Sequence, residues 1–353
     1  MKRVDNVREK LEEMNIDALL VTNMYNVRYL TNFTGTTGLA VITKDKAYFV
    51  TDFRYTQQAA EQAKDFEIIK NEGLIYEEVA KIVKKDHIKY LGFEETNITY
   101  ATYTKINEII DCELKPITGL VEKLREVKTE DEIDIIQEAV NIAEKGFDYI
   151  LGFVKPGITE IEVANELDFY MRKLGATEVS FDTIVASGVR SAMPHGVASD
   201  KIIENGDMVT IDFGCYYKGY VSDMTRTFAV GDPGEELKEI YEIVYQANKK
   251  VAEAAKPGMT GAELDAVARD YITEHGYGEA FGHTTGHGIG LEIHEGPAIS
   301  FRNEEELVVN NVITNEPGIY IPNLGGVRIE DDLLITENGN EILTFSPKEL
   351  IIL

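Results

Sequence analysis

The hydrophobic pattern of the first 120 or so residues switches repeatedly between two periods. From Lys2 to Met14, apolar residues stand at Val4, Val7, Leu11 and Met14, the spacing of one helix face. Short apolar runs at 17–22, 39–42 and 47–50 read as strands, the last two split by the charged turn Lys44-Asp45-Lys46. Helix patterns at 54–63, 75–83 and 100–110 then alternate with strand patterns at 67–69, 89–93 and 113–117. This alternation predicts an α/β domain over residues 1–122. Its one histidine is His87, and it holds no cluster assignable to chemistry.

A charged connector at 122–128 leads to Thr129-Glu130-Asp131-Glu132, a capping-box pattern that opens a long amphipathic helix through about Leu151. A second domain, 129–353, is expected to start here. Within it Pro156-Gly157-Ile158-Thr159 recurs as Pro257-Gly258-Met259-Thr260, and the same offset of 101 pairs Glu162 with Glu263, Tyr170 with Tyr271 and Gly175 with Gly276. The last two matches lie well beyond helix-start punctuation, so the repeat points to an internal duplication about a pseudo-twofold axis. Sites often form where such halves meet.

Residues 208–214 and 221–228 alternate as two strands. A hairpin turning between Tyr217 and Lys218 would oppose Asp212 and Asp223, with Cβ atoms about 5 Å apart. Like charges that close call for a cation between them. The second half repeats the arrangement, with Glu316 after Val312-Ile313 and Glu330 closing Gly326-Val327-Arg328-Ile329, a hairpin centred on Asn323. Glu316 lies 104 residues after Asp212 and Glu330 lies 107 after Asp223, so four carboxylates are expected at one point.

Half of the six histidines, His283, His287 and His294, fall in the glycine-rich stretch 282–297. The glycines discourage a regular helix there and let backbone pack close to a ligand, and imidazole is a metal ligand or an acid–base group at neutral pH. Four carboxylates plus a histidine suit two divalent ions about 3.5–4 Å apart, which ionise a shared water and polarise a carbonyl. Oxygen-rich ligation favours Mn2+ over a structural Zn2+.

Composition narrows the partners. The net charge of −27 argues against nucleic acid or an anionic membrane surface. No apolar run approaches the roughly 20 residues of a membrane span, and the start passes directly into a charged helix pattern instead of a signal-peptide core. Two cysteines, Cys112 and Cys215, make no disulfide framework. A cytoplasmic enzyme is expected.

The motifs DFG, SDMTRT, TGHGIG, NEPGIY and GVRIED, read together, resemble those of the pita-bread metallopeptidases, the family of methionine aminopeptidase, aminopeptidase P, prolidase and creatinase. The resemblance covers the whole chain. It implies an α/β creatinase-type N-terminal domain, as in the aminopeptidase P and prolidase branch, followed by an α+β pita-bread domain. By this resemblance Asp212 would chelate one metal ion, His287 and Glu316 the other, and Asp223 and Glu330 would bridge, with Co2+ or Zn2+ as alternatives to Mn2+. His195, in RSAMPHG, and His294 match histidines at the scissile carbonyl or its tetrahedral intermediate. His283 matches a substrate-lining histidine, Arg328 an arginine supporting the ligands beside the substrate, and Glu316 would also shuttle a proton. A homodimer is implied as well.

The activity expected from the resemblance is removal of an N-terminal residue preceding proline, as in aminopeptidase P. The alternatives are an Xaa-Pro dipeptidase (prolidase), a creatinase-like C–N hydrolase, and a non-catalytic metal- or peptide-binding module on the same scaffold. Two residues depart from the family pattern. Asn315 stands where Ile or Val is expected, and a polar side chain facing the core there should loosen the strand. Ala298 replaces an arginine that holds the dipeptide carboxylate in archaeal-type prolidases, which favours longer peptides.

Overall fold

A computed structural model describes residues 2–353, which divide into one unit ending at Arg125 and another running from Glu126 to Leu353. In the first, α1 (Lys2–Glu13) buries Val4, Val7 and Leu11 along the predicted face. Then come β1 (Ala18–Val21), α2 (Met24–Thr31), β2 (Leu39–Thr43), β3 (Ala47–Thr51), α3 (Thr56–Gln62), β4 (Glu67–Lys70), α4 (Ile75–Lys85), β5 (Tyr90–Glu94), α5 (Tyr100–Ile109), β6 (Glu113–Ile117) and α6 (Leu120–Arg125). The strands form one sheet in the order β4-β3-β2-β1-β5-β6. β1, β2 and β3 are buried throughout, which is why they read as unbroken apolar runs. Two helices escape the hydrophobic pattern. One is α2, capped by the Asn23 side chain, and the other is α6, which occupies part of the apparent connector.

The second unit opens with α7 (Glu130–Leu151) and α8 (Glu160–Lys173), followed by β7 (Glu178–Val179), β8 (Ile184–Ser187), β9 (Asp207–Phe213), β10 (Cys215–Tyr217), β11 (Tyr220–Val221) and β12 (Met224–Val230). Its later part has α9 (Glu235–Ala254), α10 (Gly261–Glu274), β13 (Gly286–Gly288), β14 (Glu295–Ile299), β15 (Val312–Asn315), β16 (Gly318–Ile321), β17 (Gly325–Arg328), β18 (Asp331–Thr336) and β19 (Gly339–Ile342). α7 and α8 bury Ala143, Phe147, Leu167 and Met171 with Val209, Ile211 and Phe228 of β9 and β12. α9 and α10 do the same with Val244, Val251, Leu264 and Ala268 against Ile313, Val327 and Leu333. No described helix is long and apolar enough to cross a membrane, and both cysteines are free.

Apart from Tyr170 and Tyr271, the repeated identities turn out to be the start and stop signals of one helix used twice. α8 and α10 are each 14 residues long and their bounds differ by 101. Thr159 with Glu162, and Thr260 with Glu263, form the two capping boxes. Gly175 (φ 116°) and Gly276 (φ 88°) take the positive-φ position after each helix. Ala176 N then donates to Met171 O, and Tyr277 N to Ile272 O, closing both ends in the same way. The correspondence continues into the sheets. Ile184 pairs with Asp212, and 101 residues after Ile184 the Thr285 carbonyl accepts from Glu316 N.

The second hairpin keeps its predicted register. Gly318 opposes Arg328 and Asn315 opposes Asp331, leaving Glu316 and Glu330 between the two paired stretches. The first hairpin does not: Asp212 opposes Thr225, not Asp223. Its tip is Lys218-Gly219, both at positive φ (47° and 87°), with Tyr217 opposite Tyr220. A two-residue turn of this kind matches the twist of the flanking strands, which a turn between Tyr217 and Lys218 would not. The pairing therefore slips by two residues, which preserves the side-chain face, and Asp223 becomes a diagonal neighbour of Asp212.

Removing either cap hydroxyl should cost the same, because the two helix starts are equivalent. Thr159→Ala and Thr260→Ala are each expected to lower stability by ~1 kcal/mol in urea unfolding. An unchanged midpoint in either variant would contradict the capping assignment.

Candidate metal centre and active-site cavity

Asp223, His287 and Glu330 each bring one donor atom to a point where all three lie within 4.8 Å of one another. His287 Nδ1 sits 3.1 Å from the Gly288 carbonyl, which can only accept, so Nδ1 carries the hydrogen and Nε2 presents a lone pair. That lone pair faces Glu316 Oε1 at 3.3 Å and Asp223 Oδ2 at 3.6 Å. Burial, aided by the neighbouring His294, pushes the His287 pKa down to about 4 and keeps the ring neutral. Burial pushes Glu316 up to about 8 although Arg328 opposes the shift. Asp223 is raised by burial and by the charges of Glu330 and Asp212, and Glu330 by burial and the charges of Glu316 and Asp212. Asp212 Oδ1 is buried without a hydrogen-bond partner. Electron pairs thus face electron pairs, a donor set that fits divalent cations and that protons alone satisfy poorly.

Hydrogen bonds hold these groups in place. Arg328, 3% exposed, donates through Nη2 to Asp212 Oδ2 (2.7 Å), through Nη1 to Tyr320 Oη (2.8 Å) and through Nε to Thr225 Oγ1 (3.1 Å). Thr225 donates onward to Glu330 Oε2 at 2.6 Å. Thr314 Oγ1 accepts from His287 N at 3.0 Å and donates to Glu316 Oε1 at 3.1 Å. Asp332 Oδ2 accepts from Asp223 N at 3.1 Å. Of these supports sequence reasoning named Arg328 and missed the others, although Thr225 and Thr314 stand two residues from Asp223 and Glu316, on the same strand face. Asn315 is fully buried and stays paired with Asp331 in the β15–β18 ladder, its Nδ2 donating to the Asn248 carbonyl at 2.8 Å while its Oδ1 lacks a partner.

Two buried carboxylates organise the flanking loops. Glu160, at the start of α8, accepts from Ser187, Arg190 and Ser199, which bracket the loop carrying His195. Asp265, on α10, accepts from Arg269 and from Thr285 N and Oγ1, while Arg269 also donates to the carbonyls of Phe281 and His283.

All nine residues singled out in the sequence line one cavity of about 420 Å3, together with Ala298 and the apolar side chains of Phe181, Ile184, Val197 and Ile293. His195 and His294 are its exposed histidines, and the His294 ring centre lies 4.4 Å from that of His287. His283 is engaged at both nitrogens: Nδ1 donates to the Thr284 carbonyl and Nε2 accepts from Tyr320 Oη, each at 2.8 Å. Burial and the nearby Arg328 depress its pKa to about 4, and burial depresses that of His294.

The chain belongs to metallopeptidase family M24, whose model matches residues 134–337, while residues 3–127 match the creatinase/prolidase N-terminal domain. It is 44% identical over 356 residues to the Xaa-Pro dipeptidase of Pyrococcus furiosus, covering 99% of each chain. Among solved structures, an Xaa-Pro dipeptidase from Bacillus anthracis superposes with a TM-score of 0.99 at 57% identity, covering 100% of this chain and 99% of that one. An X-Pro aminopeptidase from Thermotoga maritima superposes with a TM-score of 0.91 at 43% identity, covering 98% and 100%. Family membership makes the chain a hydrolase that works with divalent metal on the pita-bread fold, and it sets aside the non-catalytic reading.

The raised carboxylates give the metal-free protein a distinctive pH response. A group whose pKa is higher folded than unfolded holds its proton better in the folded state, so its contribution falls as pH rises towards the folded value. The depressed histidines act in the opposite sense, but only below about pH 6.5. Metal-free protein is therefore expected to lose thermal stability between about pH 6.5 and about pH 8, where Glu316 still titrates. Saturating Mn2+ should abolish that slope. A flat metal-free profile across this window would show that the carboxylates are not held together as described.

Proposed function

We propose that this chain is an Xaa-Pro dipeptidase that uses two divalent ions, Mn2+ first among them, to cleave dipeptides ending in proline. The observation that carries the reading is the convergence of Asp212, Asp223, His287, Glu316 and Glu330 on one cavity beside the exposed His195 and His294. Dipeptidase relatives at 44% and 57% identity favour the two-residue substrate over the N-terminal trimming that the motifs first suggested. Asp212 would hold one ion, His287 and Glu316 the other, and Asp223 and Glu330 both.

Bound there, the cations supply water of lowered pKa and a polarised scissile carbonyl. The chain does the rest. His195 and His294 donate to the oxygen that becomes negative as the carbonyl is attacked. Glu316, oriented by Thr314, receives the proton of the attacking water and passes it to the departing proline nitrogen. Arg328 keeps Asp212 turned towards the cavity, and His283, braced by Tyr320, forms part of the wall against which substrate packs. A homodimeric, cytoplasmic enzyme completes the proposal.

One observation favours a second reading, Xaa-Pro aminopeptidase: Ala298 lines the cavity and offers no charge to a dipeptide's carboxylate. Initial rates with Mn2+ on Ala-Pro and Ala-Pro-Ala decide between them, with Ala-Ala-Ala as control. Faster cleavage of Ala-Pro is expected, and faster release of alanine from the tripeptide would hand the assignment to the aminopeptidase. Ala298→Arg should raise kcat/KM for Ala-Pro roughly tenfold, the worth of one charge-assisted hydrogen bond. Asp212→Asn should lower kcat more than about 100-fold without unfolding the protein, and near-wild-type turnover would refute the ligand assignment.

A further inference from the structure

We propose that Asn248, on the buried face of α9, is a positioning residue whose carboxamide sets the separation of Glu316 and Glu330. Its Nδ2 donates to two backbone carbonyls, Asn315 O at 3.0 Å and Ile329 O at 3.3 Å. Those residues immediately precede the two glutamates. Asn315 Nδ2 returns a bond to Asn248 O, so helix and strand are tied twice. Both asparagines are fully buried.

The link falls where the sheet cannot provide one. The β15–β18 ladder ends at the pair Asn315 and Asp331, and the β16–β17 ladder begins at Gly318 and Arg328. Between them the backbone N–H groups of Glu316 and Glu330 turn away from each other, to Thr285 O and Thr225 O. One bond of 3.5 Å, from Ile329 N to Pro317 O, crosses the gap. Asn248 spends one N–H on each strand there. Packing alone does not account for the two amides, because Asn248 Oδ1 and Asn315 Oδ1 are both buried without partners, and an unmade buried hydrogen bond destabilises relative to an apolar pair of similar size.

The inference rests on the reading of Glu316 and Glu330 as metal ligands. Calorimetric titration of metal-free, full-length protein with Mn2+ tests both. Asn248→Leu removes the two donors at similar volume and is expected to weaken Mn2+ binding by about tenfold or more. It should also lower kcat on Ala-Pro while leaving KM within about twofold. Asn340→Leu is the matched control: Asn340 Nδ2 donates to Ala252 O and Ala255 O at the end of the same helix, and touches neither glutamate strand position. It should cost stability without changing Mn2+ affinity. If Asn248→Leu binds Mn2+ as tightly as Asn340→Leu, the positioning role is overturned. Asn248→Ser, which keeps one short donor, decides the matter should the leucine variant fail to fold: an intermediate loss of affinity supports the role and wild-type affinity overturns it. Wild-type protein that binds no divalent ion overturns the ligand assignment, and this inference with it.

Discussion

Mutual repulsion among buried carboxylates is the constraint around which the second unit is built. Asp223 and Glu330 are almost fully buried, Glu316 and Asp212 largely so, and the one guanidinium among them, Arg328, reaches only Asp212 directly. Taking such ions out of water costs several kcal/mol each unless partners offset it. A fold can keep them only if each oxygen is aimed, and the aiming accounts for much of the surrounding architecture. Threonine hydroxyls two residues from a carboxylate, a tyrosine between a histidine and an arginine, and a second aspartate behind Asp223 all serve to orient groups that would otherwise relax apart.

That arrangement explains why the cavity draws on so many elements. β9 and the segment before β12 bring the aspartates, the breaks between β15 and β16 and between β17 and β18 bring the glutamates, and β13 brings His287. The ladder is interrupted at both glutamates, which frees their backbone and side chains to face the cavity but removes the usual means of fixing strand separation. The loops bearing His195 and His283 are anchored by carboxylates on equivalent helices, Glu160 at the start of α8 and Asp265 in the second turn of α10, so polar groups in the helices reach where the sheets do not.

Much of this was legible in the residues, and the exceptions have physical causes. A capping box is a local code, so the helix at 130–151 could be read directly, while the equivalent helices at 160–173 and 261–274 showed only as a repeat of residues at an offset of 101. The second hairpin register followed from opposing Glu316 and Glu330 about Asn323. The first misled because Lys218 adopts a positive φ that lysine seldom takes, and only the paired strands reveal it. α2 was hidden because its buried face mixes Asn26 and Thr31 with Val27, Tyr29 and Leu30, and α6 because its charged residues read as part of the connector. The site residues were visible as residue types at strand positions and through the family motifs. Of their supports only Arg328 was, since whether a hydroxyl or an amide matters depends on what lies across the fold. Asn315 is the clearest instance, its partner being 67 residues away on another element.

The 101-residue repeat also bears on ancestry. Each half carries one pair of carboxylates, Asp212 and Asp223 in the first and Glu316 and Glu330 in the second, so the four-carboxylate site needs both. A lone ancestral half could have built such a site only by docking with another copy of itself about a true twofold axis. Fusion of two copies would make that pairing permanent and release each from symmetry. Ala186 stands 101 residues before His287 and has nothing to ligate with. In the proposed ligand set the two cation positions would be unlike, oxygen alone beside Asp212 and nitrogen included beside His287, a difference in softness that no symmetric ancestor could have offered.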